Sequence, residues 1–188
     1  MHLNKLLIIL GNQLFPINEI KETNTTNIFM SEDFSLCTKH KHHKLKILMF
    51  FIAMREYKEE LIKNGFNVFY HSIEDKDFKN SFEDKLSKII KNNKIKQVNY
   101  FEIEDHFFDK QINHYKKFSE ILWKKYESPM FIYSRKKFSA FEKKNSNLKL
   151  SNFYKLIRKD LNILVDENKL PEVANGHLMK ITEKNFLK

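Results

Sequence analysis

The sequence predicts an α/β fold: a Rossmann-like, doubly wound domain with a mostly parallel five-stranded sheet and helices on both faces. Three observations carry that expectation. Strand-like runs alternate with helical segments long enough to serve as crossovers, the pattern of right-handed βαβ units. The first run, Lys5 to Leu10, is apolar and ends at Gly11-Asn12, where the backbone can turn. After His43, the residues Ile47, Phe50, Met54, Tyr57 and Leu61 recur at steps of three and four, so this helix has an apolar face that needs a sheet to cover. Lys46, Arg55, Glu56, Glu59 and Lys63 fall where they can stay in water.

The elements follow in order. Asn27 to Met30 is the second strand, after a polar connection rich in Asn and Thr with room for a turn of helix. Ser31 to Lys41 reads as polar and irregular. The long helix runs from about Lys44 to Asn64, with Gly65 where a helix stop belongs. Asn67 to His71 is the third strand, Phe78 to Lys91 a helix burying Phe82, Leu86, Ile89 and Ile90, and Gln97 to Phe101 the fourth strand. Phe107 to Tyr126 is expected as one helix and Pro129 to Tyr133 as the fifth strand. Ser134 to Phe141 and Ser151 to Leu161 look helical. The whole reads as one domain over 1–188, its core about 1–135 and a helical extension about 136–188.

At 188 residues, with 41% hydrophobic and 14% aromatic residues, the chain can bury a core. No apolar run reaches the ~18 to 20 residues of a membrane span. No signal-peptide pattern opens the chain, and Cys37 is its only cysteine, which suits a cytoplasmic protein without an internal disulfide. The net charge of +10 comes almost wholly from lysines spread along every helix. That is a solvated surface with compositional bias; the alternative is a basic nucleotide- or nucleic-acid-binding module, since such a field attracts polyanions. Phe131 to Phe138, where aromatics meet Arg135, Lys136 and Lys137, offers a base-stacking stretch to that alternative; a strand leaving the core explains it more simply.

In an open α/β sheet, ligands lie beyond the carboxyl ends of the strands. That rule selects Gly11, Asn12, Gln13 and Leu14 after the first strand, Ser31 and Glu32 after the second, and Glu102, Glu104, Asp105 and His106 after the fourth. Gly11 permits close backbone approach, and the Asn12 and Gln13 amides both donate and accept. Neither G-x-G-x-x-G nor G-x-x-x-x-G-K-[ST] is present, which argues against an NAD enzyme or a P-loop ATPase. His40, His42 and His43 lack an accompanying carboxylate or cysteine at ligand spacing, so a helix-start histidine is preferred to a metal site. Glu102, Asp105 and His106 would serve a small hydrolase, though an acidic helix start accounts for the same residues.

The run Leu6 to Leu14, the stretch His42 to Glu60 with Ala53-Met54-Arg55, the strand after Gly65, and Phe153-Tyr154 with Arg158-Lys159 together resemble the amino-terminal domain of the photolyase-related family, the iron–sulfur bacterial cryptochromes and photolyases. The resemblance covers most of the chain. It implies an α/β antenna domain that binds a lumazine- or flavin-type chromophore and harvests light for flavin-dependent DNA photorepair or blue-light sensing. Gly11, Asn12, Gln13 and Leu14 match the family's Gly-Asp-Gln-Leu, Glu32 matches an acid after strand two, and Phe50 and Met54 fall on the helix face bordering the pocket. In that family FAD and an iron–sulfur cluster belong to a following helical domain, which is expected to lie outside this chain. The resemblance therefore implies a separate or truncated FAD-binding catalytic partner, contact with DNA only through it, no lyase activity from this chain alone, and no membrane. Three features depart from the pattern: Asn12 replaces an aspartate, Leu36 stands where a second acid is expected, and Ile103-Glu104-Asp105-His106 replaces a Pro-Gly-Glu-Trp-like turn.

Overall fold

A computed structural model describes residues 4–145 and 148–168. The chain divides into two compact units, 1–130 and 131–188. The first holds a five-stranded sheet of β1 (Lys5–Ile8), β2 (Asn27–Ser31), β3 (Asn67–His71), β4 (Gln97–Phe101) and β5 (Leu122–Tyr126), in the order β3-β2-β1-β4-β5. Every neighbouring pair is parallel, so the expected Rossmann-like α/β class is the observed one. The chain winds outward from β1 through β2 to β3, returns to β4 beside β1, and winds out again to β5. The switch of direction lies between β1 and β4.

The pleat sorts the core. Leu6, Ile8 and Leu10 join Phe29, Val98 and Tyr100 on one face, under α4 (Phe82–Asn92) and α5 (His106–Lys117). Leu7 and Ile9 join Ile28 and Met30 on the other, under α1 (Ile17–Glu22) and α3 (Lys44–Lys63). Successive strand residues point to opposite faces, and here both faces are covered by helix. A short helix, α2 (Phe34–Thr38), interrupts the stretch expected to be irregular.

Caps fix the helix ends. His43 accepts the Leu45 N–H at 3.2 Å to open α3, Ser81 accepts the Asp84 N–H at 3.1 Å to open α4, and Asp105 accepts the Phe108 N–H at 2.7 Å to open α5. Gly65, at φ +87°, takes the left-handed turn just past α3. The apolar stripe of α3 divides along its length: Met54, Tyr57 and Leu61 are buried on the sheet, whereas Phe50 keeps 38% of its surface exposed. On another face of the same helix Leu45, Leu48, Met49 and Ile52 lie in the open.

The fifth strand is not where the sequence suggested. The helix after His106 stops at Lys117, Leu122–Tyr126 forms β5, and Pro129 to Tyr133 carries no strand. Leu122-Trp-Lys-Lys-Tyr126 is an edge strand bonded only to β4, so it needs no continuous apolar run. Phe131 and Ile132 instead remain 51% and 79% exposed.

In the second unit, α6 (Arg135–Lys144) and α7 (Leu150–Leu161) share an aromatic cluster in which Phe153 packs on Phe138 and Phe141 at 4.9 and 5.1 Å between centroids. Arg158 is buried and donates to the carbonyls of Ile163 and Leu164, while the Tyr133 hydroxyl donates to Asp160 at 2.9 Å. The expected helical extension beyond 168 lies outside the described residues.

Candidate functional site

The tips of β1, β2 and β4 open onto one crevice of about 270 Å³, roofed by the first half of α3. Its apolar walls are Leu10, Ile47, Phe50, Phe51, Met54 and Phe108. Polar groups stand among them: Asn12 after β1, Ser31 and Asp33 at the end of β2, Asp105 after β4, and His42 and Lys46 at the start of α3. The crevice follows from the topology, because strands on either side of a switch point lead into helices on opposite faces and leave their carboxyl ends uncovered. Gly11 sits where any larger residue would crowd α3. A Cβ there would lie 2.8 Å from Met54 Sδ and 3.6 Å from Phe50 Cδ1.

Of the residues the sequence singled out, Gly11, Asn12, Ser31, Phe50, Met54 and Asp105 line the crevice. Gln13, Leu14 and Glu32 do not. Gln13, 1% exposed, donates to the Glu102 carbonyl at 2.7 Å and to Glu104 Oε2 at 3.1 Å, tying the β1 loop to the β4 loop. Glu104 also accepts from Ser128 at 2.6 Å and from Asn12 at 3.4 Å. Leu14 packs with the core on the α1 and α3 side.

Glu32 is fully buried at the centre of a different arrangement. Arg55 donates to it twice, at 2.6 and 3.0 Å, and the Tyr70 hydroxyl and the Ile73 N–H each donate at 2.7 Å. Arg55, which the sequence left in water, thus clamps α3 to the ends of β2 and β3, and it reaches Glu74 as well at 2.9 Å. Hydrogen bonding to Glu32 holds the guanidinium above its ordinary pKa. Burial, then the hydrogen bond to Glu32, raises Tyr70.

Asp33, Cys37, His42, Lys46 and Phe108 were missed as crevice residues. Asp33 follows Glu32 directly, and which of the two adjacent acids turns toward the opening is decided by partners distant in sequence, Arg55 for Glu32 and Lys85 for Asp33. Cys37 is half-buried on α2, and burial, with Asp33 and Glu32 nearby, pushes its thiol up. Of the three clustered histidines, His43 caps α3 and His42 lines the crevice, its ring edge-on to His40 at 6.0 Å between centroids. Of the acids that would serve a hydrolase, Asp105 caps α5 and Glu102 meets Lys125 at 3.6 Å. A separate group, His71, Asp75 and Asp77, brings possible ligand atoms within 4.8 Å of one another. Asp77 already pairs with His71 and Lys88, each at 3.2 Å.

Comparisons with known proteins bear on this geometry. The family described as deoxyribodipyrimidine photo-lyase-related protein matches residues 7–175. A (6-4) photolyase from Agrobacterium fabrum (strain C58 / ATCC 33970) is 34% identical over 92 residues, covering 47% of this chain and 18% of the relative. The matched stretch is thus under a fifth of that enzyme's length. Among the described residues no helix is long and apolar enough to cross a membrane.

Proposed function

The chain belongs to the deoxyribodipyrimidine photolyase-related protein family, and on that premise we propose that its crevice holds a lumazine- or flavin-type antenna chromophore. The bound ring absorbs near-ultraviolet to blue light and passes excitation to a flavin carried by a separate segment or chain. The observation that carries this reading is the slot itself: apolar side chains from α3 face the uncovered tips of β1, β2 and β4, with polar groups confined to a few positions. Ligand pockets combine mostly apolar walls with a few orienting polar groups in this way. At about 270 Å³ the crevice lies just under the ~300 Å³ where drug-sized pockets begin, which suits a two- or three-ring heterocycle better than a dinucleotide.

An antenna site needs no nucleophile or general base. Its work is to hold a ring rigidly and keep water from it. Phe50 and Met54 supply apolar and polarisable contact, and Asn12, Ser31 and Asp105 offer polar groups to a ring edge. DNA repair by photolyases requires the lesion to be flipped beside the flavin, so this chain alone is expected to repair nothing. The test is to incubate the purified chain with a ribityl-lumazine or riboflavin and remove free ligand by gel filtration. Protein-bound absorbance between the near ultraviolet and the blue, reduced by Phe50→Ala, supports the reading. Absence of bound absorbance with both compounds rejects it.

A further inference from the structure

The wall of the crevice contains a buried ion pair. Asp33, at the tip of β2, lines the crevice with its side chain 1% exposed. Behind it Lys85, projecting from α4 and wholly buried, brings its ammonium to 3.7 Å from Asp33 Oδ2 and 3.4 Å from Ser31 Oγ, with the Phe78 ring 5.5 Å away. Ser35 donates to the other carboxylate oxygen. Taking two charges out of water is costly, and an apolar pair of like volume is often as stable or more so. Lys85 nonetheless sits on a helix whose neighbours Phe82 and Leu86 are ordinary core residues.

We propose that Asp33, backed by Lys85, is the specificity-determining residue of this crevice, selecting heterocycles that present a ring N–H. This inference rests on the crevice binding a heterocycle at all. A carboxylate only accepts hydrogen bonds, so the ligand edge set against it must donate. The imide N–H of a lumazine or flavin meets that demand, and an N-alkylated ring or an anionic group does not. Charge-assisted hydrogen bonds are the strong ones. The other carboxylate on the wall, Asp105, is exposed, so water competes for it in a way that the buried Asp33 is spared. Asn12 can both donate and accept, and so imposes no such choice.

The experiment pairs ligand and protein changes in one cycle. A ribityl-lumazine and riboflavin, each against its N3-methyl derivative, are titrated into the wild-type chain, Asp33→Asn, and the double variant Asp33→Asn with Lys85→Met. Thermal melts confirm folding, and the double variant guards against loss through a stranded ammonium. The expected result is that the parent ring binds the wild type about 10- to 100-fold more tightly than its methylated form. Both variants lose most of that preference by weakening the parent ligand while leaving the methylated one unchanged. If the parent and methylated rings bind the wild type equally, or if the preference survives in both variants, Asp33 does not select the ligand. If none of the four compounds binds the wild type, the chromophore reading itself falls, and the selection with it.

Discussion

The clamp between α3 and the strand ends gives the sharpest stability prediction. Arg55→Met removes the two guanidinium donors and leaves a carboxylate of zero exposure with only the Tyr70 hydroxyl and the Ile73 N–H. Stranding one partner of a fully buried pair costs ~3 to 5 kcal/mol. The Arg55 side chain is 42% exposed, so solvent already screens part of the attraction, and a loss of ~2 to 3 kcal/mol is the better figure. For a chain of this size that lowers Tm by ~4 to 12 °C. Glu32→Gln keeps the shape but offers one acceptor oxygen where four bonds converge, and should cost ~2 kcal/mol. The two substitutions combined should cost clearly less than their sum, with a coupling of ~1 to 2 kcal/mol. Urea and thermal unfolding of the four proteins measure this. Additive losses, or Arg55→Met melting within ~1 °C of the wild type, would refute the clamp.

Other outcomes follow from the crevice and its surroundings. Gly11→Ala forces Met54 Sδ aside from its 2.8 Å approach; because a thioether end moves readily, stability should fall by only ~1 kcal/mol while chromophore retention drops, as thermal melts and gel filtration would report. Cys37, its thiol pushed up by burial and the neighbouring acids, should react with iodoacetamide more slowly at neutral pH than a free thiol does, with a rate midpoint above 9.0, and bound ligand should slow it further. Tyr57 and Tyr70 both titrate above the ordinary 10.0, chiefly through burial. A raised folded pKa gives stability that is complete below pH 10 and is lost as pH rises beyond it, so Tm should decline above pH 10 and decline less in Tyr57→Phe and Tyr70→Phe.

Much of the fold was legible because its signals were local. The Gly11-Asn12 turn, the periodic stripe from Ile47 to Leu61 and the Gly65 stop each depend on a few adjacent residues, and β3 and β4 fell where they were expected. The error at β5 has the opposite origin. Leu122-Trp-Lys-Lys-Tyr126 does not even alternate apolar with polar residues, and pairing with β4 at a distance in sequence settled the matter. The site divides in the same way. Position after a strand located Gly11 and Asn12, and helix periodicity located Phe50 and Met54. Glu32 and Asp33 could not be told apart, since the choice between them depends on Arg55 approaching from α3 and Lys85 from α4.

The crevice draws its walls from stretches as far apart as Leu10 and Phe108, joined only by parallel pairings that close late because their loops are long. No excised peptide should reproduce it, and occupancy becomes a gauge of whether the entire β layer has assembled. A ligand that recognises only the finished form must raise the melting temperature by mass action, so any compound that fits will announce itself in a heat scan even if it carries no colour.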